Sequence, residues 1–198
     1  MELIQDLTEK MCFEDGEFNE LEKAILSISE RIVGLVSRDE MTSLLNRRFI
    51  DERLPTELTN ACLSDIPLSI IFMDIDSFKD INDKFGHLAG DQVIRRVAQI
   101  IEKSIRLEDN WAARYGGDEF LLCCPGADNR AAIKIAEKIR KRIEKETFKI
   151  DNDFVTVTCS FGVRTINSGD RRLSAHDLIN QADRNLYEAK NSGKNRVV

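Results

Sequence analysis

Arg114-Tyr115-Gly116-Gly117-Asp118-Glu119-Phe120 runs directly into the apolar segment Leu121-Leu122-Cys123-Cys124. A Gly-Gly pair between an aromatic approach (Trp111, Tyr115) and an apolar exit predicts a tight two-residue hairpin, because glycine takes positive φ at no steric cost. Two acids, Asp118 and Glu119, then open the second strand. Side chains alternate along a strand, so these two are expected on opposite faces, one of them toward a reaction centre. Acids beside bare backbone suit a metal and a phosphate chain lying close to the main chain. The same letters also fit an ordinary surface hairpin, and this stretch alone leaves both readings open.

The chain has 198 residues and a formal net charge of −6. That length fits one domain and a short extension. The net charge argues against a general nucleic-acid partner, since phosphate backbones demand a basic face. It leaves room for a nucleotide held by a few local cations and a metal. Residues 1–10 carry acids and no apolar h-region, so no signal peptide is expected. The longest apolar run, around Ile70-Ile71-Phe72-Met73, is strand length, so no membrane segment is expected and the predicted location is cytoplasmic. The five cysteines (Cys12, Cys62, Cys123, Cys124, Cys159) lack metal-type spacing. They read as reduced core residues.

Phe18, Leu21, Ile25, Ile28, Ile32 and Leu35 step by three and four, an a/d stripe at heptad spacing. It predicts an N-terminal helical segment over 1–38, either a dimerising helix or one packed on its own domain. Asp39 or Thr42 is expected to cap a helix running through Ile50 and Leu54 to about Leu58. Leu68 to Met73 reads as a buried central strand ending in Asp74-Ile75-Asp76, acids that are costly there unless they bind something. Phe78, Ile81 and Phe85 share a helical face that Gly86 ends. His87 reads as a structural cap, and Gly90-Asp91 as the start of a long helix with Val93, Val97, Ile100, Ile101 and Ile105 inward. Beyond the hairpin, Ala131–Ile143 is expected to be helical with Ile133, Ile135, Ala136, Ile139 and Ile143 inward. Phe154–Val163 reads as one strand with a polar face, Leu173–Ala189 as a last helix, and the end as a turn and a short strand. This order predicts an α+β fold with a βααββαβ core.

Taken together these stretches resemble the GGDEF domain family, the diguanylate cyclases. Gly116 to Phe120 spells the signature, with the usual Arg114-Tyr115 before it. Asp39, Met41, Thr42, Ser43, Leu44, Asn46, Arg47 and Arg48 resemble the family's opening motif, with Met41 where Leu is usual and Ser43 where Gly is usual. Asp74, Ile75, Asp76, Phe78, Lys79, Asn82, Asp83, Gly86, His87, Gly90 and Asp91 resemble its nucleotide-binding block. Ala182, Asp183, Tyr187, Lys190, Gly193, Lys194 and Asn195 resemble its closing block. The likeness runs from Asp39 to Val198. It implies a domain over 39–198 with a fold related to the class III nucleotidyl cyclases. It also implies the reaction, two GTP becoming cyclic di-GMP and two pyrophosphates.

The resemblance carries roles onto matching positions. Asp74, the Ile75 carbonyl and Asp118 would hold Mg²⁺ or Mn²⁺, hard ions that prefer oxygen. Asp118 matches the family's general base, and Glu119 is the alternative base or metal residue. Lys79, Lys190 and Lys194 match triphosphate cations. Ser77 and Phe78 amides near a helix N-terminus could add phosphate donors, and Gly116 and Gly117 leave the substrate room. Asn82 and Asp91 match the guanine-reading positions; an Asp carboxylate accepts from guanine N1–H and N2–H₂, which adenine does not offer.

One departure concerns product inhibition. The family's Arg-x-x-Asp register falls here on Leu107 and Asn110. Arg106 and Asp109 have the right letters one residue early, so the site is expected to be lost or weak. Two half-sites imply a homodimer, and the short leader implies an upstream sensor or protein partner. A catalytically silent GGDEF-type GTP-binding regulator is the competing reading, which the presence of Asp74, Asp118 and Glu119 disfavours.

Overall fold

The structure is a computed structural model that describes residues 37–105, 110–150, 153–167 and 173–198. The heptad stripe, Cys12, Arg106, Leu107 and Asp109 lie outside the described residues. The elements run α1 (Arg47–Ser64), β1 (Leu68–Ile75), α2 (Phe78–Phe85), α3 (His87–Glu102), β2 (Trp111–Gly116), β3 (Glu119–Pro125), α4 (Asn129–Lys145), β4 (Phe148–Ile150), β5 (Asp153–Val155), β6 (Cys159–Ile166) and α5 (Ala175–Asn191). The expected βααββαβ core is present as β1-α2-α3-β2-β3-α4-β6, with the small β4–β5 hairpin inserted. The main sheet has the order β2-β3-β1-β6, and its neighbours are antiparallel.

The continuous apolar run of β1 is explained by helices on both faces of the sheet. Ile71, Met73 and Ile75 pack with Val93, Val97, Ile139 and Phe120 on one face. Leu68, Ile70 and Phe72 pack with Ile50, Leu54, Leu178 and Leu186 on the other. Period-two alternation therefore feeds two cores from one strand. Gly162 of β6 lies directly under α5, where an added Cβ would stand 2.1 Å from the Ala182 carbonyl. Cys123, Cys124 and Cys159 are buried, Cys62 is half-buried, and all four are free thiols.

Several local expectations are corrected. Asn46, not Asp39 or Thr42, caps α1, its side chain accepting from the Phe49 N–H at 3.0 Å. Asp39 instead closes the turn before it, accepting from the Thr42 amide at 2.9 Å and hydroxyl at 2.7 Å. Helix α3 begins at His87, Gly86 takes the cap position with φ +83, and His87 is exposed. On α4, Ala136, Ile139 and Ile143 are buried as expected and Ile135 packs against the core, but Ile133 is exposed and Ala132 takes the inward place.

The strand expected over Phe154–Val163 is two strands with a break at residues 156–158. Strand β6 has no solvated polar face, because it runs beside β1 with helices over both sides. The hairpin is shifted by one residue. Gly116 ends β2 and pairs with Glu119, so Gly117 and Asp118 form the turn. A register irregularity between Arg114 and Gly116 takes up the difference.

Candidate active site

The predicted site residues fall into three groups, the first two at the end of β1 and the third between α2 and α3. The first is acidic. Asp74 is the penultimate residue of β1 and faces Glu119 across the β1–β3 pairing. Ile75 donates its N–H to the Asp118 carbonyl at 3.4 Å. Adjacent antiparallel strands thus place Asp118 and Glu119 beside Asp74, as the strand order requires. Asp74 is buried, and Lys190 of α5 reaches its Oδ2 with Nζ at 2.8 Å.

Burial drives the Asp74 pKa up to about 6, and the charges of Asp118 and Glu119 add to the rise against the opposing pull of Lys190. Glu119 is also raised, first by burial and then by Asp118, with Lys190 and Arg47 pulling it down. Glu119 thus presses on Asp74 electrostatically as Asp118 does, although alternation predicts opposite faces.

The second group forms at the head of α2. Ser77 takes φ +57 at the N-cap position, yet its side chain makes no cap bond. Its hydroxyl instead accepts from Lys194 Nζ at 2.7 Å. Phe78 is partly buried against the core and Lys79 is exposed beside it. The third group lies between α2 and α3. A Cβ on Gly90 would stand 2.0 Å from Asn82 Oδ1, so the Asn82 amide lies directly on the Gly90 backbone. Asp91 follows, half-buried, with Arg95 4.0 Å away. Gly117 has φ +53, and an added Cβ at Gly116 or Gly117 would meet nothing within 4 Å. The hairpin backbone is therefore open to an approaching ligand.

Asp76, which the sequence groups with Asp74 as an acid costly at the end of β1 unless it binds something, has a structural place. It is buried and accepts from Thr158 Oγ1 at 2.7 Å, Ser160 Oγ at 2.6 Å and the Asn195 N–H at 3.0 Å. Its charge is satisfied by hydrogen bonds alone, which separates it in kind from Asp74. Arg114 is the other residue not singled out for a site role. It donates to the Gly117 carbonyl and pairs with Asp39, a contact between distant segments that no local pattern signals.

This constellation fits a divalent ion. Crowded oxygen donors with a raised carboxyl pKa need positive charge between them. Among the described residues no three His, Cys, Asp or Glu side chains form a closed cage. Two carboxylates and a carbonyl suit an ion that shares its shell with water and phosphate, as Mg²⁺ does.

The family described as "Diguanylate cyclase, GGDEF domain" matches residues 36–196. The chain belongs to the GGDEF family. Diguanylate cyclase DosC of Escherichia coli K12 is 38% identical over 163 residues, 82% of this chain and 35% of its own length. Diguanylate cyclase A of Treponema denticola is 37% identical over 194 residues, 94% of this chain and 52% of its own. The chain thus spans about half or less of these curated relatives. The GGDEF domain of DgcB from Caulobacter crescentus, solved in complex with c-di-GMP, superposes with a TM-score of 0.77 at 33% identity, over 82% of this chain and 92% of that one. Diguanylate cyclase SiaD of Pseudomonas aeruginosa, solved with its activator SiaC, gives a TM-score of 0.78 at 29% identity, over 100% of this chain and 77% of that one. The α+β architecture is that of GGDEF domains. Among the described residues no helix is long and apolar enough to cross a membrane.

Proposed function

We propose that this GGDEF chain is a diguanylate cyclase, joining two GTP into cyclic di-GMP with release of two pyrophosphates. The observation that carries the proposal is the placement of Asp118 and Glu119 against the buried Asp74, with Lys190 bound to it. A degenerate signature would mark a silent relative, whereas Asp74, Asp118 and Glu119 are all present here.

Asp74, the Ile75 carbonyl and Asp118 would hold Mg²⁺ or Mn²⁺. When bound, that ion supplies charge neutralisation at the phosphoryl oxygens and lowers the pKa of the attacking hydroxyl. Lys190 and Lys194 bind the triphosphate together with Lys79 and the amides of Ser77 and Phe78. Asn82 and Asp91 read the guanine edge, with Gly90 leaving the space in which Asn82 lies. Gly116 and Gly117 let the substrate approach the main chain. Asp118, with Glu119 as the alternative, accepts the proton of the attacking 3′-hydroxyl.

Each domain over 39–198 binds one GTP, and two domains meet about a two-fold axis so that each hydroxyl faces the other α-phosphate. The heptad stripe in 1–38 brings them together and raises their effective concentration. The likeness to SiaD, solved with an activator protein, supports an upstream partner for this chain as well. The reaction belongs in the cytoplasm, where GTP is held. Product inhibition through Arg106 and Asp109 is weak or absent, since the register is broken.

The test is incubation of the native protein with GTP and Mg²⁺, with the product identified by mass. Cyclic di-GMP from the native chain and none from Asp118→Ala supports the proposal. GTP binding without turnover in the native chain returns the regulatory reading.

A further inference from the structure

We infer that Asn195 is a positioning residue that sets Lys194 on the triphosphate, an inference that rests on the proposed phosphate role of Lys194. Two consecutive non-glycine residues of the closing turn, Lys194 at φ +60 and Asn195 at φ +46, are left-handed. Such backbone persists only where the surroundings over-determine it. Here they do. Arg140 Nη1 of α4 donates to Asn195 Oδ1 at 2.8 Å, and Asn195 Nδ2 donates to Glu144 Oε1 at 2.7 Å. Both ends of the amide are therefore engaged. The Asn195 N–H donates to Asp76 Oδ2 at 3.0 Å, tying the turn to the end of β1 as well.

Each holder is itself held. The Arg140 side chain is only 13% exposed and also pairs with Glu137 at 3.2 Å and Glu144 at 3.1 Å. Asp76 is fixed by the Thr158 and Ser160 hydroxyls. The turn is thus clasped from α4 on one side and from the sheet on the other. The consequence appears one residue earlier. Lys194 Nζ lies 2.7 Å from Ser77 Oγ at the head of α2, where phosphate oxygens are proposed to sit.

A lysine side chain loses much rotamer freedom when it is localised. Fixing its Cα in advance removes the backbone share of that cost and leaves the ammonium within reach of its target. None of Asn195, Arg140, Glu144 or Asp76 need touch the nucleotide. They act through Lys194.

The test measures equilibrium binding of a non-hydrolysable GTP analogue, and of GMP, to the full chain in the presence of Mg²⁺. The variants are Lys194→Ala, Asn195→Gly and the double variant. Glycine keeps the left-handed backbone and removes only the clasp. Each variant, the double one included, is expected to bind the analogue roughly tenfold more weakly, a typical loss for one bond to a charged group, with GMP binding unchanged. If Asn195→Gly does not fold, Arg140→Met replaces it and is read on the same scale. Native-like analogue binding by Asn195→Gly beside a weakened Lys194→Ala overturns the inference and leaves the phosphate reading standing. A double variant whose loss is the product of the two single losses also overturns it, as does equal loss of GMP binding. Native-like binding by Lys194→Ala removes the phosphate reading first and the inference with it.

Discussion

Arg114 and Asp39, 75 residues apart in sequence, form an ion pair with Nη1 3.2 Å from Oδ2, and the same guanidinium donates to the Gly117 carbonyl at 2.9 and 2.8 Å. The turn that opens the domain and the turn that carries Asp118 are therefore joined by one side chain. Both partners are largely buried, at 14% and 22% side-chain exposure, so solvent screens the pair less than a surface bridge. Asp39→Asn keeps one acceptor and removes the charge. It should lower stability by about 1–2 kcal/mol, and catalytic rate should fall by more than GTP affinity because the hairpin loses its brace. Urea denaturation and steady-state kinetics on the same samples check this. Unchanged turnover would show that the pair does not brace the hairpin.

Ser43 stands at φ +62 in that opening turn, a backbone conformation that favours glycine. A side chain in the left-handed region costs about 1–2 kcal/mol, part of which glycine gives back through its freer unfolded chain. Ser43→Gly should therefore raise stability modestly, by about 0.5–1 kcal/mol, with activity preserved. A drop in melting temperature would mean that the serine side chain has a role beyond filling the turn.

Asp74 links site and stability. Its pKa rises from 3.8 to about 6 on folding, chiefly through burial. The folded state then binds its proton more tightly than the unfolded one. Linkage makes the metal-free protein lose stability as pH rises through about 4 to 6. In chelator at pH 7, Asp74→Asn should be more stable than the native chain by roughly 1–3 kcal/mol, and the gap should close as pH falls below about 4. The same variant should have no cyclase activity, a trade of function for stability. Denaturation curves across this pH range in chelator measure the gap; a constant difference between the two proteins would remove Asp74 as its source.

Gly90 is needed for space. A methyl group there would stand 2.0 Å from Asn82 Oδ1 and 3.0 Å from the Phe78 ring. Gly90→Ala should displace the Asn82 amide, weakening GTP binding roughly tenfold while costing only about 1–2 kcal/mol of stability. Calorimetric titration with a non-hydrolysable GTP analogue gives the comparison. Retained affinity would mean that Asn82 does not read the base.

Much of this architecture is legible in the chain. The apolar run of β1 announces a strand covered on both faces, and the acids at its end announce a site. The helical faces of α2 and α3 follow from their spacing. What escapes is set by contacts between distant segments. The hairpin turn sits one residue later than the glycine pair suggests, because the irregularity near Tyr115 shifts the register. The alternation of Phe154 to Val163 does not show that its middle leaves the sheet. The letters of Asp74 and Asp76 are alike, and only the fold separates them: Asp76 accepts from Thr158, Ser160 and the Asn195 N–H, while Asp74 pairs with Lys190. The pairing of Arg114 with Asp39 likewise needs the fold before it can be seen.

A crystal grown with Mn²⁺ and a non-hydrolysable GTP analogue, with data collected at the manganese edge, puts the proposed metal site to the test. An anomalous peak shared by the Asp74 carboxylate, the Ile75 carbonyl and Asp118, with Lys190 moved from Asp74 onto phosphate, is the expected result. Nucleotide bound with no peak there, and Lys190 still paired to Asp74, would contradict it.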